Sequence, residues 1–343
     1  MRVEVVRPED LGPREADLWK HFQLSSPTTL SPFLSLTFAR VVSRFRPSAR
    51  VAVVHVDGDI VAFLPFEVAK GNIGRPIGWP MNDVQGFVDS GRPIDARNVV
   101  KRAGLRAWTF DAVPVAQTSL RPFYFRSPPF KARFAEFPLG FDRYIDGLSK
   151  SIPTEHARRV RGLEREFGPV AFEWNSTRST NYECLVSWKS DQYRRTGVTG
   201  DYDVFSNTSN VQIVRDLVTS SRDDCKGIVS VVSAGERPIS VQCGMVSNGI
   251  LSAWFQAFDP QMSRYSPGTM MWFGLASSAA NNGVTRIDFG GGDEAYKISL
   301  ATGSYDLVRG RVWGSLVENE LRKIARDIVY DGNGHPRVKV PHR

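Results

Sequence analysis

The chain is poor in cysteine: Cys184, Cys225 and Cys243 are widely spaced, and no C-x-x-C pair occurs. That pattern excludes a disulfide framework and a zinc cluster of ordinary spacing, and fits reduced thiols in a cytoplasmic setting. The five histidines, His21, His55, His156, His335 and His342, form no H-E-x-x-H, so nothing in their spacing calls for a metal. No run reaches the ~20 apolar residues of a membrane-spanning helix; even Met270 to Ala280 is short and contains serines. The opening Met1-Arg2-Val3-Glu4-Val5-Val6-Arg7 is broken by charge too soon for a signal peptide. A G-x-S-x-G elbow and a G-x-x-x-x-G-K-[ST] loop are also missing, which removes the commonest hydrolase signature and the P-loop.

What is present is a folding chain of 343 residues, 41% hydrophobic and 23% charged, long enough for two domains. Lys and Arg number 44 against 36 Asp and Glu, a net charge of +8 that suits a polyanionic partner. Short strand-like and helix-like runs alternate along the chain, the signature of an α/β (α+β) fold. In the first half, Val3–Val6 reads as a strand, Glu9–Gln23 as a helix, and Val51–Val56 with Ile60–Glu67 as a hairpin about Asp57-Gly58. Ile94–Ala103 reads as a helix and Ala107–Phe110 as a strand. The proline-punctuated stretch 114–129 then reads as an irregular crossing between halves. In the second half, helices are expected over Thr154–Phe167, Thr180–Arg194 and Asn210–Cys225, with a strand over Val170–Trp174. Ile228–Ser233, Ile239–Ser247 and Ile250–Phe258 read as an antiparallel meander. Ser266-Pro267-Gly268 opens a helix to Asn282. A strand Arg286–Phe289, a loop 290–294, a strand Leu307–Trp313, a closing helix Leu316–Val329 and a basic tail 331–343 complete the reading. Domains are expected at 1–150 and 151–330.

Two constellations suggest chemistry. Tyr265, Ser266, Gly268 and Thr269 stand at a helix N-terminus, where free N–H groups and the helix dipole favour an anion; a plain Ser-Pro helix start is the competing reading. The run Asp288-Phe289-Gly290-Gly291-Gly292-Asp293-Glu294-Ala295-Tyr296-Lys297 crowds glycines and ionisable groups together, as a site would, or as a strand-end turn with Lys297 paired to an acid would. Its glycine spacing, and the absence of an expected helix after it, argue against a dinucleotide loop. Trp188, Arg194 and Arg195 at a helix end read as an acceptor pocket, or equally as a core aromatic beside a solvated basic terminus. Gln242, Trp254 and Gln256 lie on meander strands whose wet face alternation leaves open. Arg158, Arg161 and Arg165 share one helical face, with Arg159 nearby; glutamates interrupt the patch, which reads as a solvated face laced with ion pairs, or else as a site for nucleic acid, an anionic lipid head or a nucleotide.

Tyr265-Ser266-Pro267-Gly268, the helix end Ala280-Asn281-Asn282-Gly283, Asp288-Phe289-Gly290 and Gly292-Asp293-Glu294-Ala295-Tyr296-Lys297 together resemble the GNAT-type acyltransferase domain of bacterial cellulose-biosynthesis proteins, a group related to the Fem peptidyltransferases. The resemblance covers residues 150–310. It implies tandem GNAT-like domains, each a mixed, largely antiparallel sheet flanked by helices, the first degenerate. It further implies an acyl-CoA donor, acetyl-CoA foremost, an amino sugar or other polysaccharide precursor as acceptor, and polysaccharide-synthesis machinery as a partner. Acyl transfer needs a base, an oxyanion donor and an acid. In this reading Glu294 or Asp293 is the base, Tyr296 the acid, and backbone N–H groups of 251–258 the oxyanion donors. Tyr265, Ser266, Gly268 and Thr269 bind the coenzyme. Trp188, Arg194, Arg195, Gln242, Asp288 and Lys297 line the acceptor side. Where GNAT enzymes carry R/Q-x-x-G-x-G/A, this chain has Gln261-Met262-Ser263-Arg264-Tyr265-Ser266. Two alternatives therefore stay open: an aminoacyl-tRNA-dependent, Fem-like transferase, and a non-catalytic nucleotide-sugar-binding scaffold.

Overall fold

The computed structural model describes residues 1–219, 224–315, 328–330 and 336–338. The first half runs β1 (Arg2–Val6), α1 (Pro13–Ser25), α2 (Leu36–Phe45), β2 (Ala49–Val56), β3 (Asp59–Ala69), β4 (Ile73–Pro76), β5 (Val88–Asp89), α3 (Ala96–Arg102) and β6 (Ala107–Pro114). Then come β7 (Phe130–Glu136), α4 (Gly140–Gly147), α5 (Ser151–Phe167), β8 (Val170–Glu173), α6 (Ser179–Thr196) and α7 (Thr208–Thr219). The chain continues through β9 (Lys226–Ala234), β10 (Arg237–Ser247), β11 (Ile250–Phe258), α8 (Pro267–Ser278), β12 (Arg286–Gly291), α9 (Ala295–Leu300) and β13 (Gly303–Trp313).

One sheet runs through the whole molecule, in the order β1-β2-β3-β4-β6-β13-β7-β12-β11-β10-β9-β8, with β5 beside β3. At its centre the two halves interlock. β13, from late in the chain, pairs with β6, while β7, from the crossing segment, pairs with both β13 and β12. The expected hairpin is present, its turn residues Asp57 and Gly58 at φ 54° and 92°. Asn248 and Gly249 turn the β10–β11 hairpin in the same way, at φ 50° and 75°. Positive φ at both turn positions matches the right-handed twist of the strands.

Helices α1, α2, α6 and α7 share one face and one core, in which Trp19, Phe38 and Val41 of the first half pack with Ile213, Leu217 and Val241 of the second. A carboxylate also bridges the halves: Thr37 N, in the first turn of α2, donates to Asp224 Oδ2 at 3.1 Å. On the opposite face, α5 and α8 cover the second half around Leu163, Met271 and Leu275, and α3 covers the first around Val99 and Trp108.

Several boundaries differ from the sequence reading. The first helix starts at Pro13, because Gly12-Pro13 supplies an extended N-cap and a proline at the first helical position. The third helix of the second half is described over Thr208–Thr219, and Cys225, read from the sequence as its last residue, lies just before β9. The crossing 114–129 leads directly into β7, in which Phe130-Lys131-Ala132-Arg133-Phe134 alternates apolar and basic residues as a strand does. β13 begins at Gly303, ahead of the expected Leu307. A short helix, α9, does follow the Gly-rich loop, contrary to expectation. The closing helix over 316–329 and the basic tail fall outside the described residues, except that Ile328–Tyr330 pairs as a strand with Pro336–Val338.

Candidate functional site

β11 and β12 run parallel only over Ile250–Ser252 and Arg286–Asp288, after which they part. Within β11 an extra residue is inserted between Ser252 and Phe255, opposite Cys243–Met245 of β10. Such a bulge twists the strand and takes backbone groups out of the ladder just where the gap opens. The corresponding gap in the first half, between β4 and β6, pairs only at Ile73–Gly74 with Ala107–Trp108 and is then plugged. Residues 77–86 fill it: Gln85 Oε1 accepts from Asp111 N and Ala112 N at 2.9 and 3.1 Å, and Trp79 Nε1 donates to Asp111 Oδ2 at 3.0 Å.

The first turn of α8 faces a cavity of about 250 Å³ lined by Tyr265, Ser266, Thr269 and Tyr296 together with Glu155, His156 and Arg159 of α5. Four residues singled out from the sequence therefore meet at one place. Ser266 occupies the N-cap with left-handed backbone (φ 53°) and makes no side-chain cap; its hydroxyl instead takes a hydrogen bond from Arg159 Nη1. Arg159, read from the sequence as part of a solvated face, also donates to Glu155 Oε1 at 2.9 Å. Gly268 O accepts from Gln256 Nε2 at 3.3 Å. Gln242 pairs directly with Gln256, so its buried amide shares that face. Gln242 Nε2 has no partner among the described residues.

The opposite mouth of the gap gathers ionisable groups from both halves. Asp288, 9% exposed, accepts from Gly290 N through Oδ1 and from the Tyr305 hydroxyl through Oδ2, each at 2.7 Å. Lys297, 7% exposed, donates to Gly291 O at 2.7 Å and stands 3.2 Å from Glu294 Oε2. Asp83 of the plugging loop reaches the same spot: a Cβ on Gly290 would lie 2.8 Å from Asp83 Oδ2. Removal from water, reinforced by the Asp288 carboxylate and opposed by Lys297, pushes the Asp83 carboxyl up to about 7. Burial likewise raises Asp288. Lys189 of α6 donates to Gln192 Oε1 and Gln256 O, both at 3.1 Å, and is pulled down to about 8 by burial and by Lys297.

The remaining sequence candidates lie apart. Asp293 pairs with Arg133 at 2.8 Å. Trp188 packs partly buried against the shared core, Arg194 is engaged by Asp191 at the exposed end of α6, and Arg195 is exposed. Tyr296 is half-exposed, and desolvation together with Glu294 pushes its phenol up to about 12. Asp83, Lys189 and Tyr305 were not among the sequence candidates; Asp83 carries no local motif, and the tertiary fold alone brings it to Gly290. Among the described residues no group of three or more His, Cys, Asp or Glu could hold a metal ion, and no helix is long and apolar enough to cross a membrane.

Comparison with known proteins bears on the same region. No curated protein matches the chain in sequence. Among solved structures, FemX superposes with a TM-score of 0.61 at 13% identity, covering 94% of this chain and 99% of that one. A tandem GNAT protein from the clavulanic acid biosynthesis pathway gives 0.52 at 10% identity, covering 92% and 99%. The C-terminal domain of a putative lysylphosphatidylglycerol synthetase from Agrobacterium fabrum gives 0.52 at 10% identity, covering 90% and 94%. These likenesses establish the fold. Residues 153–298, which hold nearly all of α5, the meander, the diverging strands and α8, match the family model described as an acetyltransferase (GNAT) domain, within a mixed α/β fold similar to that of the tandem GNAT protein.

Proposed function

We propose that the protein is an N-acyltransferase in which an acyl-CoA, probed first as acetyl-CoA, meets an amino sugar or other polysaccharide precursor in the β11–β12 gap. The carrying observation is that the N-terminus of α8 is tied to β11 through Gly268 and Gln256, while a half-buried acid, Asp83, lies against the end of the neighbouring β12. In this reading the coenzyme phosphates lie against the first turn of α8 with Arg159, Ser266 and Thr269, where backbone N–H groups and the dipole favour negative charge. The thioester carbonyl lies beside the bulge of β11, whose N–H groups stabilise the developing oxyanion. The acceptor nitrogen attacks the carbonyl carbon, the C–N bond forms, the C–S bond breaks, and the thiolate leaves.

The proton lost by nitrogen goes to Asp83. Asp293 and Glu294 already face Arg133 and Lys297, whereas Asp83 forms no hydrogen bond or ion pair among the described residues. An acid raised toward neutrality is also better matched to an amine proton than an ordinary carboxylate. Tyr296, which lines the α8 cavity and is protonated throughout the neutral range, returns a proton to the leaving sulfur in this reading. The test is thiol release from acetyl-CoA in the presence of glucosamine oligosaccharides. Asp83→Asn is expected to lower turnover by about 10²–10⁴-fold, and unchanged turnover would remove Asp83 from the mechanism.

One observation favours a second donor. Glu155 lies in the α8 cavity and neutralises Arg159, leaving that anion site without a free guanidinium. An aminoacyl-tRNA, which presents its ester without a diphosphate at this point, fits such a site, and the +8 charge suits it. Replacing acetyl-CoA by charged tRNA, with transfer read as incorporation of the aminoacyl group into the acceptor because an ester releases no thiol, separates the two donors.

A further inference from the structure

A cavity of about 450 Å³ lies over the centre of the sheet, on the face away from α8. Its size is within the ~300–1,000 Å³ range of small-molecule sites. Leu251 and Ile287 point into the core under α8, so strand alternation turns Ile250, Arg286 and Asp288 to the other face. The register adds Phe134, opposite Asp288, and Tyr305, which is opposite Ala132 two residues earlier on β7. These five side chains form the floor of the cavity. Its walls are Pro27 of the loop between α1 and α2, Val84 of the plugging loop, and Pro114 and Val115 where β6 ends.

The lining is mainly apolar, and most of its polar groups are committed to partners. The Thr28 hydroxyl is hydrogen-bonded to Ser26 Oγ at 2.8 Å, and Ser31 Oγ accepts from Phe33 N at 3.4 Å. Arg286 lies over the Phe134 ring at 4.2 Å and donates to Glu136 Oε1 at 2.5 and 2.8 Å, so its charge is matched. Asp306 is matched by Lys131 at 2.9 Å. Asp288 differs: its two donors, Gly290 N and the Tyr305 hydroxyl, are neutral, and it forms no ion pair among the described residues. A carboxylate offers about four acceptor positions, so these two bonds leave room for another donor. The cavity therefore holds one carboxylate without a counter-ion on an otherwise apolar floor, where a cation is favoured and an anion repelled.

We infer that this cavity is a binding site for a primary amine carried on an apolar body, with the ammonium against Asp288 and the body among Pro27, Val115 and Phe134. The apolar lining fixes the body, because it offers few free hydrogen-bonding groups to a polyhydroxylated ligand, and burying apolar surface there is favourable. The unmatched carboxylate fixes the head, because an ammonium brings both the charge and the N–H donors that Asp288 can accept. The site adjoins Asp83 without including it: Val84 lines the cavity, and Gly290, which donates to Asp288, is the residue that Asp83 lies against. The inference goes beyond the acyltransferase reading and stands without it.

The test is calorimetric titration of the full chain with 2-phenylethylamine and with three comparators: 2-phenylethanol, which keeps the body without the charge, 3-phenylpropionate, which reverses the charge, and ethylamine, which keeps the charge without the body. The aromatic amine is expected to bind at least tenfold more tightly than each comparator. Asp288→Asn is expected to weaken the amine by tenfold or more and to leave 2-phenylethanol unchanged, with a urea melt to show that the variant is folded. Val115→Trp, at a wall position 38% exposed, leaves Asp288 in place and is expected to weaken the amine and the alcohol alike. No binding of the amine, an alcohol or carboxylate bound as tightly as the amine, ethylamine bound as tightly as 2-phenylethylamine, or an amine affinity unmoved by Val115→Trp or by a folded Asp288→Asn would each overturn the inference. Selective amine binding of the expected kind in a protein that transfers no acyl group supports the site and removes the enzymatic reading alone.

Discussion

Asp83 lies against Gly290, joining the plugging loop of the first half to the end of β12 in the second. The approach depends on glycine twice: position 290 has φ 70°, and a Cβ there would come within 2.8 Å of Asp83 Oδ2 and 3.1 Å of its carboxyl carbon. Gly290→Ala is therefore expected to cost about 1–2 kcal/mol from left-handed backbone alone and to push Asp83 away from Asp288 and Lys297. Urea denaturation reads the first effect and acyl-transfer turnover the second. A variant as stable and as active as the parent would show that the contact has no role.

The raised Asp83 carboxyl gives opposite pH trends for stability and activity. In the unfolded chain this acid loses its proton near its ordinary value of 3.8, whereas in the folded protein it keeps it to about 7. Between these limits the folded state holds the extra proton, so stability falls as pH rises from about 4 to 7 and levels off above that. Activity that needs the carboxylate rises through about 7. Asp83→Asn removes this contribution to the stability slope, so its stability relative to the parent should improve from pH 4 to 7 and hold constant beyond. Urea melts across that range, paired with the pH profile of kcat/KM, check both arms.

How much of this was visible beforehand depended on whether a signal was local. Asp57-Gly58 and Asn248-Gly249 specify their hairpins through turn geometry, and Ser266-Pro267 starts α8, so the meander and the helix N-terminus were legible from short stretches. Tyr265, Ser266, Thr269 and Tyr296 do share one cavity, which the GNAT-like resemblance had grouped. β7 was hidden because Lys131 and Arg133 dilute its apolar alternation and because its partners, β12 and β13, lie far along the chain. Asp83 was hidden for a stronger reason: it sits among Pro80, Asn82 and Gly86 in what reads as an ordinary loop, and only the interlocking of the halves carries it to the gap. Arg159 was misjudged because helical periodicity shows which face it occupies but not that the N-terminus of α8 covers that face.

Arg159 links α5 to the first turn of α8 through Ser266, so replacing it separates donor binding from catalysis. Arg159→Met keeps the aliphatic stem and removes the charge. A lost hydrogen bond from a charged donor costs about 1.5–3 kcal/mol, so donor KM should rise by at least tenfold while kcat changes little. Glu155→Gln should act in the opposite direction on a diphosphate donor, because it frees Arg159 from its ion pair. If Glu155→Gln leaves acetyl-CoA affinity unaltered, the phosphates do not lie at this helix terminus.

Tyr305 and Asp288 offer the sharpest structural test, because a hydroxyl from β13 satisfies a buried carboxylate on β12 across the intervening β7. Tyr305→Phe leaves Asp288 Oδ2 without that donor at 9% exposure, and a buried acceptor deprived of its partner costs about 1–3 kcal/mol. The carboxyl of Asp288, already raised by burial, should rise further once the hydrogen bond that favours its charged form is gone. Asp288→Asn removes the charge, so Tyr305→Phe in that background should cost less than in the parent. The difference between the two losses, read from a double-mutant cycle of urea melts at pH 8, measures the coupling directly. A coupling indistinguishable from zero would mean that β13 holds its place at the centre of the sheet by ladder and packing alone.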